Sequence, residues 1–144
     1  MKTDNLPATK APVTILLVED DPAHAEMVRR TMSEVPIEHL LIHASDGQSA
    51  LDFLTSSPPP DLILLDLRLP KVDGIELLLK IRELASLKST PVIVLTTSAS
   101  HTDLDAVIGL GAKSYIIKPG SVAAFTEILG ADYMSASPAS QPQP

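Results

Sequence analysis

Short apolar runs alternate along this chain with longer segments whose apolar residues recur at helical spacing. The runs are Val13-Thr14-Ile15-Leu16-Leu17-Val18, residues 37–43, residues 61–70, Pro91-Val92-Ile93-Val94-Leu95 and Ser114-Tyr115-Ile116-Ile117. The third lies between Pro58-Pro59-Pro60 and Pro70, and so short an apolar run predicts a fully buried central strand. The second alternates weakly and is more polar, as an edge strand would be. After the first run, Pro22 suits a first helical turn with Asp20 and Asp21 as capping candidates. Ala25, Val28, Met32 and Val35 then fall on one face before Pro36 stops the helix. Residues 47–56 predict a second helix that buries Ala50, Leu51 and Leu54, and residues 75–84 a third with Ile75, Leu78, Ile81 and Leu84 inward. A fourth starts near His101 or Thr102, turns Leu104, Val107 and Ile108 to one face and ends at Gly111; residues 122–129 form the last. Strand and helix patterns that alternate in this way predict an α/β fold, a doubly wound five-stranded parallel sheet with helices on both faces.

Parallel strands bring the ends of these runs to one edge, where ligands of open α/β sheets bind. The third run ends in Asp66, the first at Glu19-Asp20-Asp21, the fourth at Thr96-Thr97-Ser98 and the fifth at Lys118-Pro119. Carboxylates of Glu19, Asp20 and Asp66 held together are costly unless a cation neutralises them. Oxygen ligands without a nearby His or Cys select a hard cation. Mg²⁺ fits best, because it takes one or two carboxylates, keeps several waters and leaves room for a phosphate oxygen. Asp66 is then placed to act as a nucleophile on a phosphoryl group, forming an aspartyl phosphate. Lys118 offers a cation and Thr96 a hydroxyl donor for the charge on the moving oxygens. Each residue alone has a plainer reading: an acidic doublet after a strand is commonly a helix cap, as expected for Asp21, and Lys-Pro is commonly a turn. Their joint placement favours the chemistry.

The blocks Ile-Leu-Leu-Val-Glu19-Asp20-Asp21-Pro22, Asp61-Leu-Ile-Leu-Leu-Asp66-Leu-Arg-Leu-Pro70-Lys-Val-Asp73-Gly74, Leu95-Thr96 and Tyr115-Ile-Ile-Lys118-Pro119 resemble the receiver domain of two-component response regulators, over about residues 13–129. The resemblance implies a flavodoxin-like sheet of order 2-1-3-4-5. It makes Asp66 the phosphoacceptor, Glu19 and Asp20 the acidic pair that holds Mg²⁺, and the backbone carbonyl of Arg68 a further metal contact. Thr96 becomes the switch hydroxyl, Tyr115 the switch aromatic and Lys118 the conserved-type lysine. Thr97 departs from the small residue more frequent after the switch threonine and adds bulk beside the phosphate. The implied function is a stand-alone regulator that takes a phosphoryl group from a sensor histidine kinase and signals through protein contacts. It is no enzyme beyond its own phosphotransfer and autodephosphorylation. More narrowly, the Asp66-to-Pro70 loop and the Leu95-to-Ser98 run look like the small regulators that partner phytochrome-type kinases. A downstream phosphotransfer protein and a homodimer are further partners of such chains.

Composition narrows the rest. At 144 residues the chain is one domain's worth, and a chain of that size buries roughly 70% of its unfolded surface. With two Phe, two Tyr and no Trp its core must be aliphatic. The expected organisation is a flexible lead-in over residues 1–12, a receiver domain over 13–130 and a disordered Pro/Ser/Ala tail over 131–144. The absence of cysteine excludes a thiol nucleophile and thiolate metal sites. A net charge of −7 with the 11 Lys and Arg dispersed argues against a nucleic-acid surface. No apolar run reaches the ~18 residues of a membrane span and the polar start is unlike a signal peptide, so a cytoplasmic protein is expected.

His24, His39, His43 and His101 show no metal-ligand spacing and are assigned surface or strand-filling roles. Three rival functions each fit part of the pattern. A haloacid-dehalogenase type phosphatase also uses an aspartate nucleophile after an apolar strand, but it needs a second aspartate where this chain has Arg68. A dinucleotide binder needs glycines where this chain has Glu19-Asp20-Asp21-Pro22-Ala23. A degenerate receiver that serves only as a binding module is opposed by the intact set of Asp66, Thr96 and Lys118.

Overall fold

The computed structural model describes residues 12–67, 74–97, 101–118 and 120–130, with the backbone alone for 101–104. The expected lead-in, tail and 68–73 loop, including Arg68 and Asp73, lie outside these residues except for Pro12. In chain order the elements are β1 (Val13–Val18), α1 (Pro22–Ser33), β2 (His39–Ala44), α2 (Gly47–Ser56), β3 (Leu62–Asp66), α3 (Gly74–Glu83), a 3-10 turn (Ala85–Leu87), β4 (Val92–Thr96), α4 (His101–Gly109), β5 (Ser114–Ile117) and α5 (Val122–Leu129).

The five strands form one sheet of order β2-β1-β3-β4-β5. Every pairing is parallel: Val18 lies beside Ala44 on one side and Leu65 on the other, Asp66 beside Leu95, and Thr96 beside Ile117. This is the flavodoxin-like order expected, and β2 is an edge strand as its polarity required. Side chains of successive strand residues point to opposite faces, so a continuous apolar strand feeds two cores. Leu16, Val18, Ile63, Leu65, Val92 and Val94 pack beneath α2, α3 and α4 with Ala50, Leu54, Leu77, Leu78, Ile81 and Val107. Ile15, Leu17, Leu62, Leu64, Ile93, Leu95 and Ile116 pack beneath α1 and α5 with Ala25, Val28, Met32, Phe125, Ile128 and Leu129.

The helix ends follow local chemistry. Asp21, in extended conformation with φ −86° and ψ 115°, caps α1, and Pro22 occupies its first turn. The helix closes at Ser33 rather than at Pro36, because the residue before a proline avoids the helical region. Val35 is buried nonetheless, just past the helix end. Three expectations shift. β2 spans 39–44 rather than 37–43. Leu51, Ile75 and Leu84 are partly rather than fully buried. Ile108, expected on the inner face of α4, is 43% exposed. Among the described residues no helix is long and apolar enough to cross a membrane.

Candidate functional site

The site lies at the carboxyl ends of β1 and β3, where the strand order reverses. Glu19 follows β1 directly, and its backbone is gripped by β2. Its N–H donates to the Ala44 carbonyl at 3.0 Å, and its carbonyl lies 2.7 Å from His43 Nε2. A carbonyl only accepts, so that ring nitrogen carries the proton. His43 thus braces the loop that carries the acidic run.

The next two residues diverge. The Asp21 carboxylate turns back on α1, where Oδ1 accepts the amides of Ala23 at 2.8 Å and His24 at 3.3 Å. These hydrogen bonds hold its pKa below the ordinary aspartate value. Asp20 remains exposed, and one oxygen each from Glu19, Asp20 and Asp66 lies within 4.8 Å of the others.

Asp66 is the last residue of β3 and is 4% exposed. Gly74 lies directly against it: a Cβ there would stand 2.6 Å from Leu67 Cα and 2.7 Å from the Asp66 carbonyl oxygen. The Gly74 amide donates to the Leu67 carbonyl at 3.2 Å. An Asp-Gly pair commonly marks a turn that needs a permissive backbone. What requires glycine is the passage of α3 over the strand end.

Lys118 reaches in from the end of β5, anchored by its backbone N–H to the Thr96 carbonyl at 2.8 Å. Its buried ammonium stands 2.6 Å from Glu19 Oε1 and 3.4 Å from Asp66 Oδ1. Burial pushes the pKa of the fully buried Glu19 above its ordinary value; Lys118 opposes that shift and Asp66 adds to it. A cleft of about 200 Å³ opens over these groups, lined by Glu19, Asp20, Asp21, His24, Asp66, Thr97 and Lys118.

Glu19, Asp20, Asp66 and Lys118, expected together, are brought together. Thr96 ends β4 beside them with 3% exposure, and Thr97 rather than Thr96 lines the cleft. Tyr115 stands on β5 opposite Val94, 39% exposed. Arg68 lies outside the described residues. His24, expected in a surface or strand-filling role with no His near the acidic cluster, instead lines the cleft, with Nδ1 3.0 Å from Lys118 Nζ.

The donor set suits a hard divalent cation. It consists of carboxylate oxygens, and Glu19 Oε1 is buried without a well-formed hydrogen bond, meeting the ammonium as an ion contact.

Comparisons with known proteins point to one family. The family model for the response regulator receiver domain matches residues 15–129. The probable methanogenesis regulatory protein FilR2 of Methanothrix harundinacea is 42% identical over 113 residues, 75% of this chain and 73% of its own length. Response regulator Rcp1 of Synechocystis sp. is 43% identical over 113 residues, 74% of this chain and 77% of its own. The crystal structure of the Mn(2+)-bound form of Rcp1 is similar with a TM-score of 0.71 at 37% identity, covering 92% of this chain and 100% of that one. The structure of the phosphorylated cyanobacterial phytochrome response regulator RcpA gives a TM-score of 0.71 at 33% identity, again covering 92% of this chain and 100% of the other.

Proposed function

The chain belongs to the family of response regulator receiver domains, and from that premise we propose that it accepts a phosphoryl group on Asp66 from a sensor histidine kinase and signals through protein contacts. The observation that carries this reading is the placement of Asp66, buried at the strand-order reversal with two further carboxylates and one ammonium around it. An Asp66 oxygen attacks phosphorus. The new O–P bond forms as the P–N bond to the kinase's phosphohistidine breaks, and the electron pair returns to that imidazole, which takes up a proton. Lys118 offsets charge on the transferred oxygens, and the Thr96 hydroxyl donates to one of them.

Glu19, Asp20, Asp66 and the Arg68 carbonyl are the residues we assign to Mg²⁺. When bound, the ion neutralises the carboxylates and the phosphoryl oxygens. That Rcp1 has been crystallised with Mn²⁺ and RcpA in phosphorylated form supports the assignment. That RcpA is a phytochrome response regulator favours a phytochrome-type kinase as donor. The switch we assign runs from the Thr96 hydroxyl, drawn towards the phosphoryl group, to the Tyr115 ring on the neighbouring strand. The only catalysis proposed is the domain's own phosphotransfer and autodephosphorylation, in the cytoplasm, with onward transfer to a phosphotransfer protein as one route out.

Intact-mass analysis after treatment with acetyl phosphate tests the proposal. The wild type should gain one alkali-labile phosphoryl group with Mg²⁺ and little without it. Asp66→Asn, which removes the nucleophilic oxygen but almost no volume, should gain none while keeping its fold. Uptake at normal stoichiometry by the Asn variant would refute the assignment.

A further inference from the structure

His24 stands on the first turn of α1, and its partner Lys118 is 94 residues away in the chain. The ring has one hydrogen-bond partner and two acidic neighbours. Nδ1 lies 3.0 Å from Lys118 Nζ and 3.9 Å from Glu19 Oε2, while Nε2 lies 3.8 Å from Asp21 Oδ2. An ammonium offers three N–H donors and no acceptor. Nδ1 must therefore be the acceptor, which puts the proton of the neutral ring on Nε2, on the side of Asp21. Of its three partners, Glu19 Oε1 and Asp66 Oδ1 meet Lys118 as ion contacts, and His24 Nδ1 is a hydrogen-bond acceptor.

Two of those three partners are carboxylates that a cation and a phosphoryl group would engage. His24 is the neutral one, and its contact with Lys118 does not depend on the charge of the acidic cluster. We propose that His24 is a positioning residue for Lys118: it holds the ammonium at the lip of the cleft, aimed at Asp66, while the carboxylates change partners. A lysine on a flexible four-carbon stem otherwise loses rotamer freedom at the moment of transfer, and a preset ammonium avoids that cost. The role rests on the phosphoacceptor reading given above.

The test uses four proteins, wild type, His24→Ala, His24→Asn and His24→Gln, phosphorylated by acetyl phosphate with Mg²⁺. Asn carries its carbonyl oxygen on Cγ, where His carries Nδ1; Gln carries its own one bond further out. Losing a hydrogen bond to a charged group should slow the rate constant at saturating phosphodonor about tenfold in His24→Ala, with half-saturation unchanged. His24→Asn should recover to within about twofold of wild type, and His24→Gln should stay as slow as alanine. In the metal-free wild type, long-range nitrogen–proton NMR should show the His24 proton on Nε2. Equal rates in all four proteins, Asn and Gln behaving alike, or a proton on Nδ1 would each overturn the proposal. A wild type that takes up no phosphoryl group would overturn the phosphoacceptor reading and this role with it, whereas rapid wild-type uptake with indifferent variants would overturn this role alone.

Discussion

Glu19 carries an electrostatic conflict, being a fully buried carboxylate beside Asp66 with Lys118 as its counter-ion. Burial raises its pKa above the ordinary value of 4.5. A raised folded-state pKa means that the metal-free fold favours the protonated acid. The resulting stability is full below the ordinary carboxylate range and is lost as pH rises through the raised value. Thermal melts without metal should therefore lose stability over that window. Glu19→Gln should flatten the dependence and raise the neutral-pH Tm, and Mg²⁺ should raise the Tm of the wild type more than that of the variant. A metal-free wild type whose stability climbs across the window would contradict the account. The adjacent aspartates separate by the same means. Asp20→Ala should weaken metal affinity at least about tenfold, by analogy with losses around metal sites. Asp21→Ala should leave affinity in place and lower the Tm through the lost cap. Calorimetric titration with Mg²⁺ distinguishes them, and equal losses in both would mean that the run is read in the wrong register. At this scale the sequence was informative where a residue's role follows from its place at a strand end, as for Glu19, Asp20, Asp66 and Lys118. His24 could not be read that way, because its meaning lies in a contact with a residue just past the last strand.

The elements were legible because apolar runs and prolines mark them directly, and among the described residues five strands and five major helices appear in the expected order. What blurred were edges and reasons. β2 begins at His39 rather than at residue 37, since an edge strand lacks the second neighbour that would fix its start. α4 turns Val107 inward but leaves Ile108 at 43% exposure, because a helix on an open sheet buries a narrow stripe and adjacent residues diverge by about 100°. Gly74 shows how a motif can be noticed for an incomplete reason. Its environment has no room for a Cβ, with backbone atoms of Asp66 and Leu67 at 2.6 to 2.7 Å, whereas Gly111 and Gly120 are the described glycines with positive φ, at 116° and 75°. Gly74→Ala should therefore push α3 away from the strand end. The expected cost is about 2 kcal/mol or more in urea unfolding, in line with overpacking of a filled site. Phosphoryl uptake at Asp66 should slow at the same time. A variant of wild-type stability and uptake would show that α3 can shift freely, contrary to the packing described.

At the scale of the whole molecule, two helical layers cover the sheet and leave few large apolar groups outside. Over residues 101–129, Val107, Phe125, Ile128 and Leu129 are buried, and Leu110 and Val122 pack partly buried against the cores. Ile108, Tyr115 and Ile117 remain, at 43%, 39% and 37% exposure. Tyr115 and Ile117 share one face of the edge strand β5, opposite to Ile116, which enters the core beneath α1 and α5. They lie on the same side of the sheet as α4, and Ile117 pairs with Thr96 in the sheet, so a phosphoryl-dependent shift at Thr96 would be felt there. If the signal leaves through a homodimer, these side chains are its apolar centre, and a two-fold contact would present the same patch twice. Leu110→Glu would be a poor probe, since Leu110 packs on the core and a charge there would report unfolding. Ile117→Glu places the charge on the exposed edge and should weaken phosphorylation-dependent self-association at least about tenfold, as expected for a charge at a desolvated centre. Leu79→Glu, at an equally exposed apolar position on α3, should leave association unchanged. Sedimentation velocity of the three proteins, with and without phosphorylation, decides the matter: a wild type that stays monomeric in both states would rule out the homodimer, and equal weakening by the two variants would place the contact elsewhere.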